Sequence, residues 1–177
     1  MNKNKNIIPE VINKYNVYDN DANALVGISG EISLPDFETL TATMSGAGIL
    51  GEIEDPVDGQ FKSSEIEIPF RSLFGSAFDL MDTNTPLSLT IRGSEQGTDK
   101  TSMKSVKIQV RIVVKGKFKG FSGGKMKIGE GVECKVKMEA WYILYEIGGE
   151  KKLELDKFNS VYVVNGKDML SEVNKFC

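Results

Sequence analysis

The sequence predicts an all-β fold, a β-sandwich or partial barrel with one flanking α-helix. Three observations lead to this prediction. Apolar and polar residues alternate with period two in several separate runs, as in strands that bury one face. One segment alone has the spacing of an amphipathic helix. The chain has 177 residues, 40% of them hydrophobic, which is enough for a core without disulfides or metals.

The first half of the chain contains three short alternating runs, and we expect a strand at each of them. They cover residues 24–34, 66–70 and 87–91. Between the second and third runs, the segment 71–82 places apolar side chains at helical spacing. Ser72 is a candidate N-cap for this helix, and Pro86 prevents it from continuing. The apolar stripe predicted to face the core consists of Leu73, Phe74, Ala77, Phe78 and Met81.

The longest alternating runs lie in the second half of the chain, at 106–114 and 132–145. Each predicts a strand with a polar front and an apolar back. In the second run, Trp141, Ile143 and Tyr145 continue the polar side, so its later half is expected to be buried on both faces. The series ends with the segment 153–164, and Asn165-Gly166 then predicts a tight hairpin turn.

Two glycine-rich segments interrupt the strands and are predicted to be loops. One spans about residues 45–60 and is acidic, and the other spans about 116–131 and carries four lysines. Long loops usually make contacts or carry function. We therefore expect residues 1–177 to form a single domain with these two loops as its contact-making segments.

The residue types argue against an enzyme and predict neither a cofactor nor a metal. Histidine is absent, which excludes a Ser-His-Asp triad, a Cys-His dyad and a histidine zinc site. Neither glycine-rich segment has the spacing of a dinucleotide or phosphate loop. The two cysteines, Cys134 and Cys177, do not form a disulfide framework. Neither a signal peptide nor a membrane anchor is expected.

Charge is divided unevenly along the chain. Residues 1–100 carry 7 basic and 16 acidic side chains, whereas residues 101–177 carry 15 and 9. Within one domain such a split can be trivial, or it can give each sign its own face or edge, so that copies meet head to tail with opposite charges in contact.

Two binding hypotheses compete with a structural role. The segment 115–127 interleaves lysines with Phe118 and Phe121, a pattern that can track a nucleic-acid backbone and stack on bases. It is the basis for the alternative of a single-stranded nucleic-acid-binding β-barrel. A carbohydrate-binding or hydrolytic β-sandwich is the other alternative, without positive support from a motif.

The order of features resembles the major tail tube protein of contractile-tailed bacteriophages and related R-type bacteriocin particles. The resemblance covers about residues 7–175. It rests on three segments: the stretch YNVYDNDANALVGISGEISLPDFETLTATMSGAGILGEIEDPV, the passage IEIPFRSLFGSAFDLM, and the half from KIQVRIVVKGKFK through KVKMEAWYILYEIGGEKKLELDKFNSVYVVNGKDML. The Asn/Lys-rich start and Cys177 depart from the family pattern.

The resemblance implies a structural subunit of the virion, made in the bacterial host cytoplasm. Family members form hexameric rings that stack into a hollow tube inside a sheath. The implied partners are further copies of the chain, the sheath, tape-measure and baseplate proteins, and DNA in transit without specific binding. The segment 45–60 resembles a loop that reaches a neighbouring subunit or ring. Its candidate contact residues are Gly46, Gly48, Gly51, Glu52, Glu54 and Asp55.

A strand that lines such a tube needs an apolar back and a polar front, which the runs at 106–112 and 132–139 provide. The run before the helix is expected to join them. The lumen-facing candidates are Ser63, Glu65, Glu67, Lys107, Gln109, Arg111, Glu133, Lys135, Lys137 and Glu139.

Overall fold

Antiparallel strands make up most of the computed structural model, which describes residues 6–20, 23–28, 30–73 and 75–177. The all-β prediction is therefore confirmed, with one short α-helix in the described part of the chain. The strands are β1 (Ile7–Tyr18), β2 (Thr39–Met44), β3 (Ile53–Phe61), β4 (Glu65–Phe70), β5 (Leu87–Asp99), β6 (Ser105–Ser122), β7 (Cys134–Ile147), β8 (Glu150–Asp156), β9 (Val161–Val164) and β10 (Lys167–Asp168). The helix α1 is Gly75–Asp79, and a 3-10 turn follows at Val173–Lys175.

Eight strands form one main sheet in the order β1-β5-β6-β7-β8-β9-β10, with β4 also paired to β7. The first half of β7 pairs with β4, and its second half pairs with β8. The whole of β7 lies against β6 on its other side. Strands β2 and β3 form a separate two-stranded hairpin. The helices in the described part of the chain are too short to span a lipid bilayer.

The core lies on one face of the main sheet, where alternate residues of its central strands are buried. On β4 these are Ile66, Ile68 and Phe70, as the sequence predicted. Ala77 of α1 and Leu80 cover part of this face. Full burial of one such aliphatic or aromatic side chain contributes about 1.5–3 kcal/mol to the free energy of folding. These residues therefore keep this face of the sheet inside the protein. The opposite face carries the charged side chains of these strands and also holds the buried Val113 and Leu144.

A β-bulge at Trp141 changes which side chains of β7 face the core. Lys115 pairs with Tyr142, and Gly116 pairs with Ala140, so Trp141 is an extra residue. Ala140 and Ile143 consequently share the core face. The predicted assignment of Ile143 and Tyr145 to the polar side was wrong, because an inserted residue reverses the alternation. Burial on both faces is confirmed for Ile143 and Leu144, which are 0% and 5% exposed.

The helix is shorter than the predicted segment 71–82. It ends at Asp79, and Leu73 and Phe78 of the predicted apolar stripe are exposed. Phe74 lies outside the described residues. The chain turns soon after the helix, because the Asp82 carboxylate accepts hydrogen bonds from the Asn84 N–H (2.8 Å) and the Thr85 hydroxyl (2.6 Å).

Both predicted loops contain strand. Residues 53–60 of the predicted loop 45–60 belong to β3, which ends at Phe61, and only residues 45–52 connect it to β2. Strand β6 extends to Ser122, which leaves residues 123–133 as the Gly/Lys loop. The glycines and lysines of residues 116–122 led to the loop prediction, and β6 has one inserted residue in this stretch, Lys119 between Phe118 and Gly120.

Two further segments differ from the predictions, and one predicted turn is confirmed. The run 24–34 makes isolated bridges, such as Ile28 with Phe70, instead of a strand. The segment 153–164 divides into β8 and β9, because Asp156 caps a turn between them. The hairpin predicted at Asn165-Gly166 is confirmed, since both residues have positive φ (50° and 79°) and join β9 to β10.

Candidate functional site

Six of the predicted lumen-facing residues meet on the polar face where β4 lies beside β7. The antiparallel register places Glu65 opposite Glu139 and Glu67 opposite Lys137. Alternation sends Ile66 and Met138 to the core and leaves the charged side chains on the other side. These six residues and Lys119 of β6 are called the charged patch: Ser63, Glu65, Glu67, Lys119, Lys135, Lys137 and Glu139.

The charged patch is a continuous network of ion pairs. Lys119 Nζ lies 2.8 Å from Glu139 and 3.1 Å from Glu65. Lys137 pairs with Glu67 and lies 3.0 Å from Glu65. Lys135 completes the network at 3.3 Å from Glu67, and the Ser63 hydroxyl donates to Glu139 at 2.7 Å. Each lysine therefore has a carboxylate partner.

Lys119 was not among the predicted lumen residues. It is the extra residue of the bulge between Phe118 and Gly120, which turns its side chain toward β4 and β7. Alternation along β6 places Lys119 on the same face as Lys107, Gln109 and Arg111, but the segment 116–131 was predicted to be a loop, so Lys119 was not assigned to this face. The closest signal in the sequence is the run of lysines on alternate residues that includes it.

The ion pairs lower the pKa values of the patch carboxylates. Hydrogen bonds from Lys137 and then Lys119 lower the pKa of Glu65, and a hydrogen bond from Lys137 has the largest part in lowering that of Glu67. Partial burial raises the pKa of Glu139, but bonds from Lys119 and Ser63 outweigh it, so its pKa also lies below the usual range. The three carboxylates are therefore ionised at neutral pH.

The substitution Glu139→Gln is expected to reduce the free energy of unfolding by about 0.2–1 kcal/mol at pH 7, the range measured for solvent-accessible ion pairs. A lowered pKa in the folded state stabilises it above the ordinary value of 4.5, and this contribution is lost as the pH falls through the lowered pKa. The difference between variant and wild type should thus shrink as the pH is lowered from 7 to below 4.5. Urea denaturation at a series of pH values across this range measures it.

Glu130→Gln is the matched control, because Glu130 belongs to an exposed ion pair with Lys127 in the Gly/Lys loop. It should change stability little at any of these pH values. Equal effects of the two substitutions at pH 7 would contradict a cooperative charged patch.

The polar face continues along β6 with the predicted residues Lys107, Gln109 and Arg111. Lys107 pairs across the sheet with Gln96, and Arg111 forms a 2.8 Å ion pair with Glu146 of β7. The side chain of Gln109 is exposed. Glu133 is also exposed but precedes β7 with a φ of 52°, so it lies outside the strand and the charged patch.

The structure separates the lysines and phenylalanines of the segment 115–127. Phe118 and Phe121 pack against the core, and the Phe121 ring lies 5.9 Å from that of Phe78. Lys119 is on the opposite face, within the charged patch. Base stacking needs aromatic rings beside the cations. This arrangement does not support the alternative of single-stranded nucleic-acid binding through the segment 115–127.

The β2–β3 hairpin is the second candidate surface, and its outer half is exposed. Its connecting segment 45–52 contains the candidate contact residues Gly46, Gly48, Gly51 and Glu52, while Glu54 and Asp55 lie on β3. All six are exposed, as is Leu50 between them. Glycine is required at Gly48 and Gly51, whose φ values of 93° and 112° disfavour other residues.

The base of the hairpin is anchored to the C-terminal part of the chain. The Phe61 ring lies 4.9 Å from the ring of Tyr162 in an edge-to-face contact. Gly59 approaches Leu170 so closely that a Cβ there would lie 2.5 Å from the leucine side chain. The hairpin is thus fixed at one end and exposed at the other, which is the form of an arm that contacts another molecule.

Both candidate surfaces lie within a region that is similar to known proteins. The model of the family described as phage tail tube protein FII matches residues 9–175. The chain is 26% identical over 152 residues to a protein described as the tail tube protein of Escherichia phage P2. That alignment covers 82% of this chain and 84% of the phage protein.

Proposed function

The chain belongs to the phage tail tube protein FII family, and from this premise we propose that it forms hexameric rings that stack into the inner tube of a contractile tail. Members of the family are structural proteins and not enzymes. The chain is accordingly a component of the virion. The tube would carry DNA, or pierce an envelope in a headless bacteriocin-like particle.

One observation supports this function above the others: the chain combines a broad polar face on long antiparallel strands with an arm that is exposed at its outer end. A tube subunit needs both features. The polar face of β6 and β7 suits a water-filled lumen, because the opposite face is fully committed to the core. The arm suits contact between subunits, because its exposed apolar residues have no cover within the described part of the chain.

The outer part of the hairpin is proposed to contact a subunit of the adjacent ring. Gly48 and Gly51 allow close backbone approach at its tip. Glu52, Glu54 and Asp55 give this tip a negative charge, whereas the C-terminal part of the chain is basic. Stacking of this kind joins two different surfaces and does not close on itself, so it produces a filament along the axis.

The polar face is proposed to line the lumen. Its lysines are paired with carboxylates in the charged patch, so their charge is locally compensated. Protein affinity for DNA comes largely from cations that neutralise phosphates. A lining with compensated cations would let DNA pass without binding it.

The double substitution Glu65→Gln and Glu67→Gln is expected to increase affinity for a short DNA duplex about tenfold at low salt. It removes the partners of Lys135 and Lys137, which are then free to contact phosphates. Fluorescence anisotropy with a labelled duplex measures the change. A control with Glu130→Gln and Glu172→Gln alters net charge equally and should not raise affinity. Tight binding by the wild type at physiological salt would contradict a non-binding lumen.

The remaining partners follow from the position of a tube within a contractile tail. They are the sheath around it, the tape-measure protein inside it during assembly and the baseplate at its end. Assembly would take place in the bacterial host cytoplasm, where the chain is made.

Sedimentation velocity over a range of concentrations tests ring formation. We expect a hexamer and, at high concentration, species that are multiples of it. Dimers or trimers as the final species would contradict the proposed ring.

A further inference from the structure

We infer that Glu139 of the charged patch and Lys157 position the hairpin: they hold its joint with the main sheet and so set the direction in which its tip reaches the next ring. The joint consists of residues 62–64, which connect the end of β3 to the start of β4. The inference rests on the proposed stacking of rings and identifies two residues outside the hairpin that this stacking requires.

The joint is the place where the hairpin would turn if nothing held it. Strand β3 ends at Phe61 and β4 begins at Glu65, so the connection between them is short. In the described part of the chain, β2 and β3 pair with each other in a sheet of their own. Short segments between two such units are where proteins absorb large changes of backbone angle. The contacts of the joint therefore decide whether the hairpin has one direction or several.

Glu139 accepts two hydrogen bonds from the joint. The Ser63 hydroxyl donates to one oxygen of its carboxylate at 2.7 Å, and the Ser64 N–H donates to the other oxygen at 3.3 Å. Lys119 Nζ, which is paired with Glu139, also donates to the Ser63 hydroxyl oxygen at 3.1 Å. Hydrogen bonds to an ionised group are stronger than those between neutral groups. The charged patch therefore holds the joint against β7.

Ser64 connects the joint to two other segments of the chain. It is a buried polar residue, 3% exposed, and its hydroxyl donates to the C=O of Asp36 at 2.8 Å. Asp36 lies shortly before β2, so this bond ties the entrance of the hairpin to its exit. The C=O of Ser64 accepts from the Ala140 N–H of β7 at 2.8 Å. A buried polar group with such partners favours a single arrangement of the segments around it.

Lys157 holds the joint from the turn after β8. Its Nζ donates to the C=O of Lys62 at 3.0 Å, and its own N–H donates to the C=O of Trp141 on β7 at 3.0 Å. Burial lowers the pKa of Lys157, and the nearby Glu139 carboxylate offsets part of this effect. The two residues bind the joint in complementary ways, because the carboxylate accepts from its N–H and hydroxyl groups and the ammonium group donates to its carbonyl.

These contacts give the hairpin a second fixed point. The first is at the end of β3, where Phe61 contacts Tyr162 and Gly59 approaches Leu170. A hairpin held at one point can swing about it, whereas two separate points hold it in one direction. A binding surface works well when supporting contacts keep it in the productive geometry. Stacking requires the hairpin tips of a ring to reach the next ring together, so each of them needs the same direction.

Glu139→Ala tests the inference, with Glu67→Ala as the matched control. Both substitutions remove a carboxylate from the charged patch, but that of Glu67 is paired with Lys135 and Lys137 of β7. In Glu139→Ala, the amides of the hairpin and of the joint should exchange with deuterium about tenfold faster, because bonds to a charged group are lost. Exchange in β5 of the main sheet should not change. A general loss of stability would accelerate exchange in β5 as well. Mass spectrometry of peptides measures both regions.

Assembly gives a second measurement on the same variants. Glu139→Ala should still form hexamers, but assemblies longer than one ring should decrease about tenfold in sedimentation, because its hairpins are no longer pre-organised. Glu67→Ala should assemble like the wild type. Lys157→Met keeps most of the side chain but removes the donor to Lys62, so it should act in the same way as Glu139→Ala. Its control is Lys151→Met, which removes an ion pair with Glu154 on β8 and should leave stacking unchanged.

The outcomes separate the inference from the proposed function. If the wild type forms tubes and both Glu139→Ala and Lys157→Met form them equally well, the positioning role is overturned and the proposed function stands. Tubes that are lost without faster exchange in the hairpin, or with equally faster exchange in β5, also overturn it. A wild-type chain that never forms tubes overturns both. Faster exchange confined to the hairpin and joint, together with hexamers that no longer stack, supports the inference.

Discussion

Replacing Gly116 by alanine is expected to prevent stable pairing of β6 with β7 and to cost more than about 4 kcal/mol of unfolding free energy. A Cβ at this position would lie 1.7 Å from the carbonyl oxygen of Glu139 and 2.8 Å from its carbonyl carbon. Both atoms belong to the backbone of β7, so no side-chain rotation can relieve the overlap. The strands would have to separate at the centre of the main sheet, with little folded protein remaining. Urea denaturation, or the yield of soluble protein, measures this effect.

Gly120→Ala is the matched control on the same strand. No atom lies within 4 Å of a Cβ placed at Gly120, so this substitution should change stability by less than about 1 kcal/mol. The comparison separates close backbone approach from the general effect of adding a methyl group to β6. Similar stabilities of the two variants would show that β6 and β7 do not pair in the register found here.

Shortening the hairpin tip is expected to abolish tubes while leaving rings intact. Replacing residues 45–52 by Asn-Gly keeps β2 and β3 joined by a two-residue turn that suits a hairpin. It removes the exposed tip with Leu50 and Glu52 but leaves the anchored base at Phe61 and Gly59. Without the tip, rings lack the proposed contact to the next ring. We expect sedimentation to show hexamers that no longer grow, with at least a tenfold loss of longer assemblies.

The control for this change is the double substitution Met126→Ser and Ile128→Ser in the Gly/Lys loop. These side chains are as exposed as those of the hairpin tip, but no stacking role is assigned to them. Tubes of normal length from the shortened hairpin would exclude it as the stacking element. If the control loses its tubes to the same extent, tube formation depends on exposed apolar residues in general and not on the hairpin tip.

The part of the fold that could be predicted is the part where strands are regular. The alternation in β4 and in the first half of β7 predicted both the buried residues and the polar partners Glu65, Glu67 and Lys137. It failed after Trp141, because one inserted residue reverses the pattern and only the pairing partner reveals the insertion. The terminal strand β1 was missed for a similar reason, since its two register shifts obscure alternation. Lys119 was missed because its segment was predicted to be a loop.

The residue types of the candidate site could be predicted, but the ion pairs that connect these residues could not. Charged residues on β4 and β7 were expected on one face, and the structure joins them through Lys119. Residues 45–60 of the hairpin were expected as a loop, because glycines, Pro56 and acidic residues dominate their composition. Its strands are formed by backbone pairing, which places few demands on side chains, so composition alone did not indicate them.

In the helix, the prediction assigned more residues to the core than the structure buries. The spacing from Leu73 to Met81 fits a helical stripe, but Leu73 and Phe78 are exposed. The core is already filled by the sheet, and Ala77 with Leu80 is sufficient to cover it locally. Helical periodicity indicates which residues could share a face, and tertiary packing determines which of them are buried.

Negative-stain electron microscopy of the purified chain, at low and high concentration, tests the central claim most directly. We expect six-fold rings with a central channel at low concentration and hollow tubes of stacked rings at high concentration. Uniform small monomers at every concentration would contradict the claim that this chain assembles into a tube through its own surfaces.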